Sequence, residues 1–204
     1  MQIVDVAMAL VDEEGLDRLT LRRLAEHLEV TPMALYWHFR DKDALLAALG
    51  ERLFSSIEFP EPGVDHLDDL DAVMRAVMTA LRQHAAIAPL ALTTVLTTVP
   101  GLVLSERVLS LLCDAGLDDA TAANVGGFIL HSIVALVSSV PGTSKSTPPE
   151  PPAGLSFLDY PVTVRLAPHL MECDDVDAWL HQGLDVLIQG VRGLVADQLA
   201  ANKD

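Results

Sequence analysis

The chain has 204 residues, enough for one large or two small domains with a real core, and half of them are hydrophobic. Lysine and arginine number 13 against 29 aspartate and glutamate, and the resulting net charge of −16 excludes a general nucleic-acid coat protein, though not a small local basic surface. Two cysteines, Cys113 and Cys173, are too few and too far apart for a metal knuckle or a disulfide scaffold, and read as small buried hydrophobes.

Strand-like alternation is scarce and apolar residues recur at spacings of three and four, so the fold class is all-α. The first helix carries Ile3, Val6, Ala7, Leu10 and Val11 and stops at Gly15. Thr20 is an N-cap for a second helix from about Leu21 to Leu28. Thr31-Pro32 is the favoured cap-then-proline order for a third start, with an end near Phe39. Asp41 caps a fourth helix through Leu45, Leu46, Leu49 and Leu53. After a break at FPEPG (59–63), Asp65 opens an amphipathic helix through Leu70, Val73, Val77 and Leu81. Shorter helices are predicted over about 89–98 and 102–115, and a long apolar one from Asp118 to about 139. Residues 141–161 hold six of the twelve prolines and read as an extended loop, followed by a last helix over about 174–200.

The most apolar stretch, GGFILHSIVALVSSV at 126–140, is about 15 residues long with His131 at its centre, which suits a buried helix better than a membrane span. The opening MQIVDVAMALVDEEG has acidic residues where a signal peptide needs basic ones, so a cytoplasmic protein without a membrane partner is expected. The organisation is a small N-terminal three-helix head with a connecting helix, residues 1–57, and a larger helical body, residues 58–204.

Two short helices joined by Glu29-Val30-Thr31 match a helix-turn-helix, whose second helix can lie in a DNA major groove. Leu35 and Phe39, four apart, should pack on Ala25, Leu28 and the first helix. Met33, Tyr36, Trp37 and His38 are then left wholly or partly outward. A chain with 4% aromatics that spends two rings on an outward face needs a partner for them.

The run LTLRRLAEHLEVTPMALYWHFRDKDALLAAL resembles the DNA-binding head of the TetR family of bacterial transcriptional repressors, through the LA pair, the LYWHF block and the following lysine, over about residues 3–54. The resemblance implies a ligand-binding, dimerising body and assigns roles in the head. Arg22 corresponds to a base-reading arginine whose fork suits guanine O6 and N7. Tyr36 and Lys42 correspond to phosphate-contacting positions, and Trp37 and His38 to the protein–DNA surface. Thr20 and Thr31 can cap helices whose N-termini meet phosphates. Pro32 and Met33, with Ala34, sit where base edges are read yet offer no side-chain hydrogen bond, so specificity should lean on Arg22, apolar contacts and DNA shape.

Two departures have physical consequences. Glu29 stands where the turn normally has glycine, and a positive φ there would cost on the order of 1 kcal/mol. Residues 1–57 carry six Lys/Arg against ten Asp/Glu, a net of −4, so binding should be local, modest and steeply weakened by salt.

In the body, Ala122, Ala123, Gly126 and Gly127 on one helix, and Gly183, Gly190 and Gly193 on the last, suggest close helix–helix approach. The resemblance implies that the helices at about 118–139 and 174–200 form a four-helix dimer seam. A mainly apolar pocket with a few polar handles is expected from Met74, Met78, Leu81, Thr94, Thr97, Thr98, Leu109, Phe128 and His131. His131, alone in an apolar run, needs a hydrogen-bond partner, and a satisfied core histidine is the plainer reading. Just past His84 the sequence AAIAPLALTT lacks the histidine that would bind a drug-chelated magnesium, so magnesium–tetracycline is not the expected effector. The acid runs 65–71 and 172–177 fall at helix starts, where negative charge complements the dipole, and no metal site or cofactor is expected there.

The chain lacks a Gly-rich phosphate loop, a nucleophile elbow and metal-ligand spacing, so it is not expected to be an enzyme. The expected function is a homodimeric repressor released from an operator by a small, largely apolar molecule. A ligand-binding or protein-interaction module that has lost specific operator binding is the alternative.

Overall fold

The computed structural model describes residues 3–140, 159–171 and 173–201, which form helices and turns without a strand among them. The helices are α1 (Ile3–Glu14), α2 (Leu21–His27), α3 (Pro32–Tyr36), α4 (Lys42–Ser55), α5 (His66–Gln83), α6 (Ala91–Thr94), α7 (Val99–Asp114), α8 (Asp119–Ser138), α9 (Pro161–Met171) and α10 (Val176–Ala201). Helix α1 packs on α2 and α4, and α2 on α3. Helix α4 then reaches α5, α6 and α7, while α5 lies against α7, α8 and α10. The head core is Leu10, Leu24, Leu35, Leu45 and Leu49, and it runs on through Phe54 into Leu70, Leu81, Ile87, Leu112, Ile133 and Leu184 of the body.

Local cap chemistry starts these helices. Thr20 Oγ1 accepts from Arg23 N at 3.0 Å, and Asp41 Oδ1 from Ala44 N at 2.8 Å. Asp65 and Asp118 each accept from two backbone amides of the first turn. Thr31 departs from the expectation, since its side chain makes no cap bond. The Ala34 amide, which a capping hydroxyl would take, donates instead to the Thr31 carbonyl at 2.9 Å in a tight first turn.

The α2–α3 turn is a Schellman motif, with Val30 N on Ala25 O at 3.0 Å and Glu29 N on Glu26 O at 3.3 Å. Glu29 occupies its left-handed position at φ 55°, where Gly116 at φ 109° closes α7 with the same pair of bonds. The positive φ expected at position 29 is therefore present.

Several boundaries differ from the sequence reading. Helix α3 ends at Tyr36, and the segment expected as one helix over 89–98 is a 3-10 turn, Ala88–Leu90, a single α-turn in α6 and a run of turns. Helix α7 begins at Val99 because Thr98 Oγ1 accepts from Gly101 N at 3.3 Å and Pro100 sits in the first turn. Of the loop expected over 141–161, residues 141–158 lie outside the described residues, and Pro161 begins α9. That helix is not among the sequence expectations, which end the proline-rich loop at Pro161, although proline is welcome at a first turn. Cys113 is exposed, and Cys173 is half-buried. Cys113 follows core-facing Leu112 by one residue, which turns it off the packed face.

Helix α8 is 20 residues long, and an 18-residue window of it has a mean hydropathy of 1.7, so by length and composition alone it could cross a membrane. The 126–140 reading understated it by starting inside the helix. Only a third of that window is buried within the chain. The close-approach glycines divide accordingly. A Cβ on Gly183 would lie 2.9 Å from Leu136, and one on Gly126 3.2 Å from Leu109, so these two serve packing within the chain. Gly127, Gly190 and Gly193 face open space.

The acid runs are consumed by structure. Asp68 pairs with Arg192 at 2.5 Å, Asp71 with Arg75 at 3.0 Å, and Asp177 with Arg82. No cluster of metal-ligating side chains occurs among the described residues.

Candidate DNA interface and ligand cavity

Helix α3 sorts its side chains as a two-sided wedge. Leu35 and Phe39, linked by the Phe39 N to Leu35 O bond at 2.8 Å, are buried against the head core. Met33, Tyr36 and Trp37 are 68%, 53% and 86% exposed, and His38 is exposed beside them. Nothing in the chain's own packing asks for an indole in water, so the wedge is apolar toward the core and aromatic toward a partner. All nine head residues singled out from sequence are exposed: Thr20 and Arg22 at the start of α2, Thr31, Pro32, Met33, Tyr36, Trp37 and His38 on or beside α3, and Lys42 at the start of α4.

The electrostatics qualify the acidic total. Arg23 clamps Glu14 with its Nε and a terminal nitrogen, tying α2 to the end of α1 and holding the Glu14 carboxyl below its ordinary range. Arg52 pairs with Asp5 at 2.8 Å across α4 and α1, and Arg40 with Asp41 at 2.8 Å. Arg23 and Arg52 therefore tie helices of the head together, whereas Arg40 is 87% exposed and pairs only with its own neighbour. Arg22 is 83% exposed at its side chain and leans on Glu26 at 3.2 Å, an (i, i+4) pair that a phosphate or base edge could displace at little cost. Lys42 and Arg18 carry no ion pair among the described residues.

The body holds a partly open cavity of about 310 Å³. Helix α5 supplies Met74 and Val77, α6 and the turn after it supply Leu92, Val95 and Leu96, and α7 supplies Leu104, Ser105, Val108 and Leu109. Helix α8 closes it with Ala123, Gly126, Gly127, Leu130 and His131. Its only polar side chains among the described residues are Ser105 and His131. His131 is exposed rather than sealed in the core, and its Nδ1 lies 2.8 Å from the Gly127 carbonyl one turn back.

Of the pocket residues expected from sequence, Met74, Leu109 and His131 line this space and the others do not. Met78 and Leu81 are buried in the core. Thr94 is buried with its hydroxyl donating to Leu90 O at 2.6 Å, and Thr98 is the cap of α7. Thr97 is exposed and its hydroxyl turns back to the carbonyls of Thr93 and Thr94, while Phe128 is 64% exposed on the outer side of α8. Threonines in that short segment satisfy backbone groups of broken helix turns, which takes them out of the wall. Apart from Ser105 and two glycines, the missed lining residues are plain aliphatics, which sequence cannot tell from core.

The cavity walls abut the helix that leads from the head. Gly50 of α4 meets Thr94 so closely that a Cβ there would fall 2.3 Å from Oγ1. Arg107 of α7 donates to the Pro60 carbonyl at 2.5 Å and lies 5.3 Å over the Phe59 ring. His84, which ends α5, meets Asp12 of α1 at 2.7 Å.

Residues 3–49 match the family model for bacterial regulatory proteins of the tetR family, and residues 59–195 match the tetracyclin repressor-like C-terminal domain. The class G tetracycline repressor of Vibrio anguillarum is 31% identical, over 98% of this chain and 96% of that protein. An HTH-type transcriptional regulator of Saccharopolyspora erythraea is 32% identical, over 68% of this chain but only 59% of its own length. Among solved structures, Streptomyces coelicolor ActR in complex with actinorhodin superposes with a TM-score of 0.74 at 28% identity, covering 95% of this chain and 96% of that one. With the second family model spanning well over half of the sequence, the chain belongs to the TetR family of bacterial regulatory proteins.

Proposed function

We propose that this protein is a cytoplasmic, homodimeric transcriptional repressor that leaves its operator when a small, largely apolar molecule enters the body cavity. The observation that carries the reading is the wedge of α3, with Leu35 and Phe39 inside and Tyr36, Trp37 and His38 outside. In this reading Arg22 reads a base edge, Tyr36 and Lys42 fix register on phosphates, and Thr31 has a free hydroxyl to offer. The apolar outer face of α8 and α10, with Phe128, Val186 and Leu194 exposed beside Gly190 and Gly193, pairs with the same face of a second copy. Two heads are then held at the spacing of half-sites about 34–36 Å apart.

Effector binding favours a different spacing of the heads, a population shift whose size equals the ligand's differential affinity for the two states. The Gly50–Thr94 contact joins α4 to α6, and the Arg107 hold on Phe59 and Pro60 joins α7 to the segment after α4, so two wall helices are linked to the chain that leads from the head. That ActR was solved with actinorhodin supports a ligand site in this kind of body. No catalytic role is assigned.

The acidic head, with Arg22 leaning on Glu26, favours a second reading in which the fold is kept as a ligand-binding or interaction module without specific operator affinity. Gel-shift titration on the DNA upstream of its own gene, at several salt concentrations, separates the two. A specific band that weakens steeply with salt and loses sequence preference in Arg22→Glu supports the repressor. No specific band at low salt supports the module.

A further inference from the structure

We infer that the effector presents a hydrogen-bond donor, a phenolic or enolic hydroxyl or an N–H, to His131 Nε2, on an otherwise uncharged apolar body. The inference rests on the reading of the cavity as the effector site and concerns what that site selects. A carbonyl oxygen only accepts, so the 2.8 Å bond between His131 Nδ1 and Gly127 O places the ring hydrogen on Nδ1. In the uncharged ring Nε2 is then a lone-pair acceptor with no partner among the described residues. The tautomer is set by the helix backbone, before any ligand arrives.

The other polar wall group, Ser105, rotates to donate or accept and so discriminates nothing. Among the described residues, choice between donor and acceptor falls to His131. Charge is excluded separately. Among the described residues no lysine or arginine lines the cavity, and Arg107, the cation on the neighbouring stretch of α7, is occupied by Pro60 and Phe59. A carboxylate among these aliphatic walls would lose its hydration without an ion partner.

The test uses three probes of one shape: 2-naphthol, its methyl ether 2-methoxynaphthalene, and 2-naphthoate. Calorimetric titration of the full-length protein should give about tenfold tighter binding of the naphthol than of the ether, the size of one net neutral hydrogen bond, with the naphthoate weakest. His131→Phe keeps a ring in place and should bring the naphthol down to the ether, with ether binding retained as proof that the cavity still forms. Ether equal to naphthol in the wild type, naphthoate binding best, or a preference that survives His131→Phe overturns the inference. The same probes are added to the operator gel shift. Binding that discriminates as stated but never releases DNA would sink the effector reading while leaving the tautomer argument standing. Release by ether and naphthol alike would do the reverse.

Discussion

Glu29 is a glutamate in a glycine's place. Its φ of 55° is the one positive value at a non-glycine among the described residues, and Gly116 shows the same turn built without the penalty. Glu29→Gly should therefore stabilise the protein by about 0.5–1 kcal/mol, the αL strain less the backbone entropy glycine adds, read as a higher denaturation midpoint. A neighbouring pair separates fold from function. Trp37→Ala, at an 86% exposed position, should shift stability by no more than about 0.5 kcal/mol while weakening DNA binding. Leu35→Ala, two residues away and buried, should cost about 2–5 kcal/mol in a denaturant titration.

At the scale of elements, Asp118 joins the two helices of the proposed seam. It caps α8 through Ala120 N and Thr121 N, each at 3.1 Å, and takes the Gln198 amide of α10 at 2.8 Å. The Thr121 hydroxyl, then the Thr121 amide and Gln198, hold its carboxyl down from 3.8 to about 2. A depressed folded pKa means the stabilisation is present in full above the unfolded value and is lost as pH falls toward the folded one. Asp118→Ala should therefore lower Tm at pH 6, and the gap from wild type should close between about pH 4 and pH 2 in thermal melts. Such capping is what sequence shows best. Thr20, Asp41, Asp65 and Asp118 were all legible because each cap depends on a few adjacent residues. Helix α9 was not, since Pro161 and Pro168 carry the same letters as a loop, and only position within a turn tells the two apart.

For the whole molecule, the head was legible and the cavity was not, for one physical reason. Whether Leu35 faces in and Trp37 out is decided by helical period, a local quantity. Whether Val95 or Leu130 faces a cavity or a neighbour is decided by the distance between helices that are far apart in sequence. His131 lines the cavity where a satisfied core histidine is the plainer reading of the sequence, and the Gly127 carbonyl as its partner was not foreseen. The outward face of α8 and α10 makes its own prediction. Val186→Asp, at a 69% exposed position, should leave helicity unchanged and convert a dimer to a monomer in sedimentation velocity. A wild-type monomer would remove the paired heads.

The most direct test of the account is hydroxyl-radical footprinting of the protein on the DNA upstream of its own gene. Two protected patches related by a two-fold axis, about one helical turn of B-DNA or a whole multiple of it apart, and both lost in Trp37→Ala, are the predicted result. Protection of a single patch, or a two-patch footprint indifferent to Trp37, would contradict it.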